Sequence, residues 1–238
     1  MLEIRLEQLN CDRLPRRLRR KAPYLWTVFF RIDSQGVSLS PQFELKGQAH
    51  FHFTPQSQGN LQINAVQEVG SFPIPPSLGL WRTELTPIEV PFFSYQMPGI
   101  LGVIAVLMQE NNVSPIGAEA GHQALNEYIR EAVNAAISNF SVKAIDVENI
   151  QPSIKQYFAK QVDRLADNIE SEVKKAVVSA QSWTQNLWSL IDQDELIGYQ
   201  VWDIMDNEIP QDGLRLTHQW NHAELGVWTL SGQINRRH

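Results

Sequence analysis

The sequence predicts an α+β fold: an antiparallel β-sandwich with a long helical hairpin inserted between two of its strands. Two observations lead there. Alternating and aromatic-rich apolar segments fill residues 1–110 and return over 198–238, which is strand patterning. Between them, residues 115–192 carry apolar side chains at helical spacing. The longest such stripe is Ile154, Phe158, Val162, Leu165, Ile169, Val173, Ala176, Ala180, Leu187 and Ile191, with one skip at Thr184. Its steps of four, four and three close every eleven residues, near the period of a straight α-helix. At 1.5 Å per residue that helix is roughly 55 Å long. The two β segments read as one discontinuous domain. The alternative is a continuous α+β domain whose helices pack flat on one sheet.

Taken in order, Leu2, Ile4, Leu6 and then Leu9 mark a half-buried first strand. Residues 24–32 are aromatic and β-branched, and the Asp33–Gly36 turn follows them. Phe43–Phe53 and Leu61–Val69 alternate as two further strands. Prolines at 73, 75, 76, 87, 91 and 98 exclude a helix over 72–98 and favour edge strands and loops. Ile100–Met108 is apolar at successive positions, as in a strand buried on both faces.

A first helix begins near Pro115, with Ser114 as its cap and Leu125, Tyr128, Ile129, Ala132, Ala136 and Phe140 on one face. A polar break at 146–152 precedes the long helix, and a short link favours an antiparallel pair that buries both stripes together. Tyr199–Met205, Leu214–Trp220 and Val227–Ile234 are the closing strands, with a turn at Asp212-Gly213.

A net charge of −6 disfavours wholesale nucleic-acid binding. The single cysteine, Cys11, excludes an internal disulfide framework and fits a reducing compartment; it is expected as a buried thiol. The N-terminus lacks the apolar run of a signal peptide. The most apolar stretch, Met97–Met108, is too short to span a bilayer as a helix. A cytoplasmic location is expected.

The strand, loop and Pro23-Tyr24 start of the next strand resemble the opening of a C2 domain over roughly the first 35 residues. The resemblance implies a C2-like sandwich. C2 domains often carry a calcium-binding Asp just before this Pro-Tyr; here the position is Ala22. The loop is instead basic, with Arg13, Arg16, Arg17, Arg19, Arg20 and Lys21, and repels a dication, so calcium binding is lost at that loop. The PYLW of residues 23–26 and the EAGHQAL of residues 119–125 also resemble an uncharacterised bacterial family, which implies no function.

That basic cluster is the candidate anion-binding site, since clusters of Lys and Arg hold anionic headgroups at roughly 1 kcal/mol each. The bland reading is a solvated loop with surface ion pairs. His50 and His52, at i and i+2 on a strand, are the candidate metal ligands, against solvent-facing histidines backed by Ala49, Phe51 and Phe53. Glu119 and His122 share a helix face as an acid/base couple or, more simply, as a satisfied surface pair. No nucleophile elbow, Walker loop or dinucleotide fingerprint is present. Phe158, Leu165, Ile169, Val173, Trp183 and Trp188 form the candidate partner interface.

The leading expectation is a non-enzymatic binding module whose hairpin meets a protein partner or a second copy. The alternatives are a peripheral membrane protein that uses loop 13–21 on anionic lipid, and a metal-dependent enzyme around His50 and His52. No cofactor is implied.

Overall fold

The computed structural model describes residues 1–15, 22–55, 58–63, 66–110, 115–140 and 195–237, with Arg164, Asp167 and Ser171. In chain order the elements begin with strands β1 (Leu2–Arg13), β2 (Pro23–Ile32), β3 (Val37–Leu39), β4 (Leu45–Gly47), β5 (His50–Phe53) and β6 (Gly70–Pro73). A single helical turn α1 (Pro76–Gly79) leads into β7 (Leu80–Thr83), β8 (Ile88–Glu89), β9 (Gln96–Met97) and β10 (Ile100–Gln109). Helix α2 (Pro115–Asn139) follows, then β11 (Glu195–Met205), β12 (Leu214–His222) and β13 (Gly226–Arg236). The protein is rich in antiparallel sheet. One sheet runs β12-β13-β1, and β6 and β7 share the far edge of β1. The other runs β11-β10-β2-β5, and β3–β4 and β8–β9 are small hairpins.

The irregular spacing of the first strand has a structural cause. Register passes from Leu6↔Gly232 to Gln8↔Ser231, so Glu7 is an extra residue in a β-bulge. The bulge shifts the inward phase, and Leu2, Ile4 and Leu6 are followed inward by Leu9 and Cys11. Gly232 is needed opposite it, because a Cβ there would lie 2.4 Å from the Arg5 carbonyl oxygen.

One buried cluster draws on both sheets: Ile4, Leu6 and Leu9 of β1, Leu25 and Phe29 of β2, Val103 and Leu107 of β10, and Trp228 and Leu230 of β13. The opposite faces of β2 and β10, through Trp26, Val28, Phe30, Ile104 and Val106, form a second cluster with Leu125, Ile129 and Val133 of α2. Strand β10 is therefore buried at every position, as its continuous apolar run anticipates. Ile129 and Val133 are fully buried, each worth about 1.5–3 kcal/mol of transfer free energy.

Several expectations need correction. The spacing of α2 predicts that its stripe is buried against the long helix; Leu125, Ile129 and Val133 instead pack on the sheet, because the aromatic face of β2 has to be covered. The long stripe, and with it Phe158, Leu165, Ile169, Val173, Trp183 and Trp188, lies outside the described residues. Arg164, Asp167 and Ser171, between those positions, are helical and exposed.

The described residues of 61–69 form no strand. Leu61 and Val66 instead plug the core, and the Asn60 amide takes the place of a strand on β2. It donates to the Leu25 carbonyl at 2.8 Å and accepts from the Leu25 N–H at 3.1 Å. Residues 43–53 are split into β4 and β5 at Gly47, whose φ of 122° admits no ordinary side chain. Among the prolines, Pro76 opens a one-turn helix, since the first turn needs no N–H from it.

Antiparallel register also sorts the chain into two ends. Arg13, Pro23, Gly70, Gln109 and the β12–β13 turn lie at the first end. Leu2, Ile32, Thr83, Ile100 and Arg236 lie at the second. Among the described residues, no helix is long and apolar enough to cross a membrane.

Candidate functional site

Strand β1 leaves the sheet at the first end and β2 enters there, starting at Pro23. Arg13 is tied to the neighbouring hairpin, donating to Asn221 Oδ1 at 3.1 Å and to the His222 carbonyl at 3.3 Å. The hairpin is itself fastened: the Leu225 N–H donates to His222 Nδ1 at 3.1 Å, and the Trp228 indole N–H to the Leu225 carbonyl at 2.8 Å. Arg16, Arg17, Arg19, Arg20 and Lys21 lie outside the described residues, on the segment that joins these two strands.

Two large apolar side chains stand in solvent at this same end. Val69, just before β6, is 59% exposed, and Ile116, in the first turn of α2, is 83% exposed. Such residues scattered singly need no explanation, but here both stand at the end of the strands where Arg13 and Pro23 lie. A third, Phe92, stands at the second end on the tip of the β8–β9 hairpin with a φ of 68°, its ring 6.4 Å from that of Phe43.

The histidine pair sits on the edge strand β5. His50 is exposed and His52 half-buried, and both imidazoles stack on the indole of Trp81 from β7, at 6.3 and 6.0 Å. Burial, and then the neighbouring His50, lower the His52 pKa, which favours the neutral ring. Phe51 and Phe53 pack against the second core cluster, as strand alternation requires. Among the described residues no group of three or more His, Cys, Asp or Glu side chains gathers around a common point. The pair is thus an aromatic stack joining two sheet edges, and it lacks the third ligand that a zinc site needs among those residues.

Glu119 and His122 do not form an acid/base couple. Glu119 accepts from the Gln123 amide at 3.1 Å. His122 is no surface residue: it is 2% exposed and stacked on Trp26 at 5.2 Å. Burial pushes its pKa down to about 4, against a smaller upward pull from Glu119. Its Nε2 is buried and has no hydrogen-bond partner among the described residues. Cys11 is buried, and burial followed by the charge of Asp12 raises its thiol to about 11, so it stays protonated near neutral pH.

Comparison with family models, with curated proteins and with solved structures finds no match. The site therefore rests on its own geometry.

One ionic cluster escaped the reading of the sequence. Glu3, on the outward face of β1, is 2% exposed because three arginines close over it. Arg237 donates to its Oε1 at 2.7 Å, Arg82 to its Oε2 at 2.8 Å and Arg5 to its Oε1 at 3.4 Å. Hydrogen bonds from Arg237 and Arg82 hold the carboxyl down at about 2. Arg82 and Arg237 come from 79 and 234 residues away, and no local spacing announces them. The one signal was an acidic and a basic residue, Glu3 and Arg5, alternating with the apolar positions of β1.

Proposed function

We propose that this protein is a non-enzymatic binding module, a C2-like β-sandwich with a helical insertion, that docks on anionic lipid through its first end. The buried cluster shared by the two sheets supports the sandwich. The observation that carries the docking is the meeting, at one end of the strands, of Arg13, both ends of the basic segment, and exposed Val69 and Ile116. Membrane attachment needs two modest contributions acting together. Basic side chains near an anionic leaflet supply about 1 kcal/mol each, and shallow apolar side chains add a term that salt does not screen. A cytoplasmic location fits both the single cysteine and the anionic inner leaflet.

Flotation with vesicles tests the reading. The protein is expected to float with phosphatidylserine vesicles at low salt, to ignore phosphatidylcholine vesicles, and to be released as salt shortens the Debye length. Replacing Arg16, Arg17, Arg19 and Arg20 by Ser should abolish flotation. Ile116→Ser with Val69→Ser should weaken it without changing its salt dependence. A protein that ignores anionic vesicles at low salt ends the proposal.

A second reading, that the long helix meets a protein partner or another copy, draws support from Arg164, Asp167 and Ser171. Their exposed positions fall between those of the apolar stripe, as an amphipathic helix requires. Ile169→Asp should then disrupt assembly or folding, while Glu170→Ala should be nearly neutral, both read by light scattering and circular dichroism. Equal tolerance of the two changes would remove this reading.

A further inference from the structure

We infer that Arg5, Arg82 and Arg237, arranged around the buried carboxylate of Glu3, form a binding site for a dianionic phosphomonoester on the outer face of the β1–β7 pair. The cluster lies at the second end of the strands, away from Val69 and Ile116, and is independent of the docking proposed above.

Three positive guanidiniums meet the Glu3 carboxylate, which leaves a surplus of two positive charges at the cluster, and the Glu7 carboxylate along the groove brings the wider surface to a surplus of one. The surplus at the cluster itself draws the phosphate end of a phosphomonoester dianion. Glu3 is the one side chain that each of these arginines bonds among the described residues, and each arginine side chain is about half exposed, at 42, 56 and 53% for Arg5, Arg82 and Arg237. A guanidinium has several N–H donors in a rigid fork, so most of them remain for a ligand. The carboxylate acts as an organiser: by accepting one bond from each arginine it fixes three flexible side chains before any ligand arrives, which lowers the entropy lost on binding. The shape beside the cluster suits the rest of an ester. A groove of about 400 Å³ runs from Arg5 past Glu7, Gln8, Ile74, Pro76 and Leu80. The groove is mainly polar, with Ile74, Pro76 and Leu80 as its apolar part, which suits a hydroxyl-bearing carbon skeleton. The Glu7 carboxylate, already accepting from Gln233 at 2.7 Å, offers a further acceptor for hydroxyl groups.

The test is calorimetric titration at low ionic strength with inorganic phosphate, glucose 6-phosphate, glycerol 3-phosphate and glucose. A saturable single site is expected for the two esters, with weaker binding of inorganic phosphate and none of glucose. A preference for glucose 6-phosphate identifies a free sugar ester as the ligand, and a preference for glycerol 3-phosphate a lipid headgroup. Arg82→Gln should weaken ester binding by about tenfold or more, since it removes a charge-assisted fork. Arg130→Gln, an exposed arginine of α2, should leave it unchanged. If Arg82→Gln fails to fold by circular dichroism, Arg5→Gln, whose contact with Glu3 is the longest, takes its place. The absence of saturable heat with every phosphate-bearing probe would overturn the assignment. Equal affinity in the Arg82 and Arg130 variants would overturn it as well.

Discussion

His122 shows how a single residue departs from its apparent role. On sequence it shares a polar helix face with Glu119; in the fold it is stacked beneath α2 on Trp26 and kept neutral. Its pKa falls from 6.5 to about 4, so between those values the unfolded chain binds a proton that the folded one refuses. Stability contributed by this residue is thus complete above pH 6.5 and declines as pH falls towards 4, by about 3 kcal/mol in all. Urea unfolding at pH 7.0, 5.5 and 4.5 should show that loss, and His122→Leu should flatten it. An unchanged slope in the variant would place the buried proton elsewhere. Glu3 behaves in the opposite chemical sense but with the same sign. Its carboxyl is depressed from 4.5 to about 2, so its contribution is present above 4.5 and lost as pH falls through 2. Glu3→Gln should remove that acid-limb loss while lowering the midpoint near neutral pH, because three arginines are then left facing one another.

At the scale of elements, close approaches decide where the sequence has no freedom. The bulge in β1 brings the Arg5 carbonyl against Gly232, and Gly232→Ala forces strands β1 and β13 apart or flattens the bulge. Overpacking of this kind costs about 1–3 kcal/mol, and denaturant unfolding should register it. A change within a few tenths would mean the bulge is soft. Trp220 on β12 makes the complementary contact between sheets: its indole N–H donates to the Tyr199 carbonyl at 3.0 Å, and its ring lies where a Cβ on Gly198 would be. Trp220→Phe keeps an aromatic ring but loses the donor and the pyrrole edge that packs on Gly198, and should cost at least about 1–2 kcal/mol. Within α2, Ile129→Ala opens a cavity under the helix and should cost about 2–5 kcal/mol. The same substitution at Ile116 should be close to neutral in stability, since that side chain is 83% exposed.

For the whole molecule, β2 and β10 carry the organisation. They are buried by the first sheet on one face and by α2 on the other, so the protein has two apolar layers that share a central pair of strands. Residues near the two ends of the chain are tied together, since Arg237 reaches Glu3 and the Arg237 N–H donates to the Met1 carbonyl at 2.9 Å. Arg237→Gln should therefore lower the thermal midpoint measurably. Arg215→Gln, exposed on β12, should not.

What the sequence by itself determined are features set by near neighbours along the chain. The phase slip between Leu6 and Leu9, the two-faced burial of residues 100–108, the strand over 24–32 and a helix starting near Pro115 all follow from side-chain period and backbone sterics, which act over a few residues. Only the tertiary structure decided which surface the α2 stripe covers, why Leu61 and Val66 plug the core from outside any described strand, and which side chains meet Glu3. Those outcomes depend on strand order and on contacts between residues 79 and 234 positions apart. The same period-two pattern in β1 is compatible with an outward Glu3 in open water and with one enclosed by three arginines. The difference lies in what the remainder of the chain brings to that face.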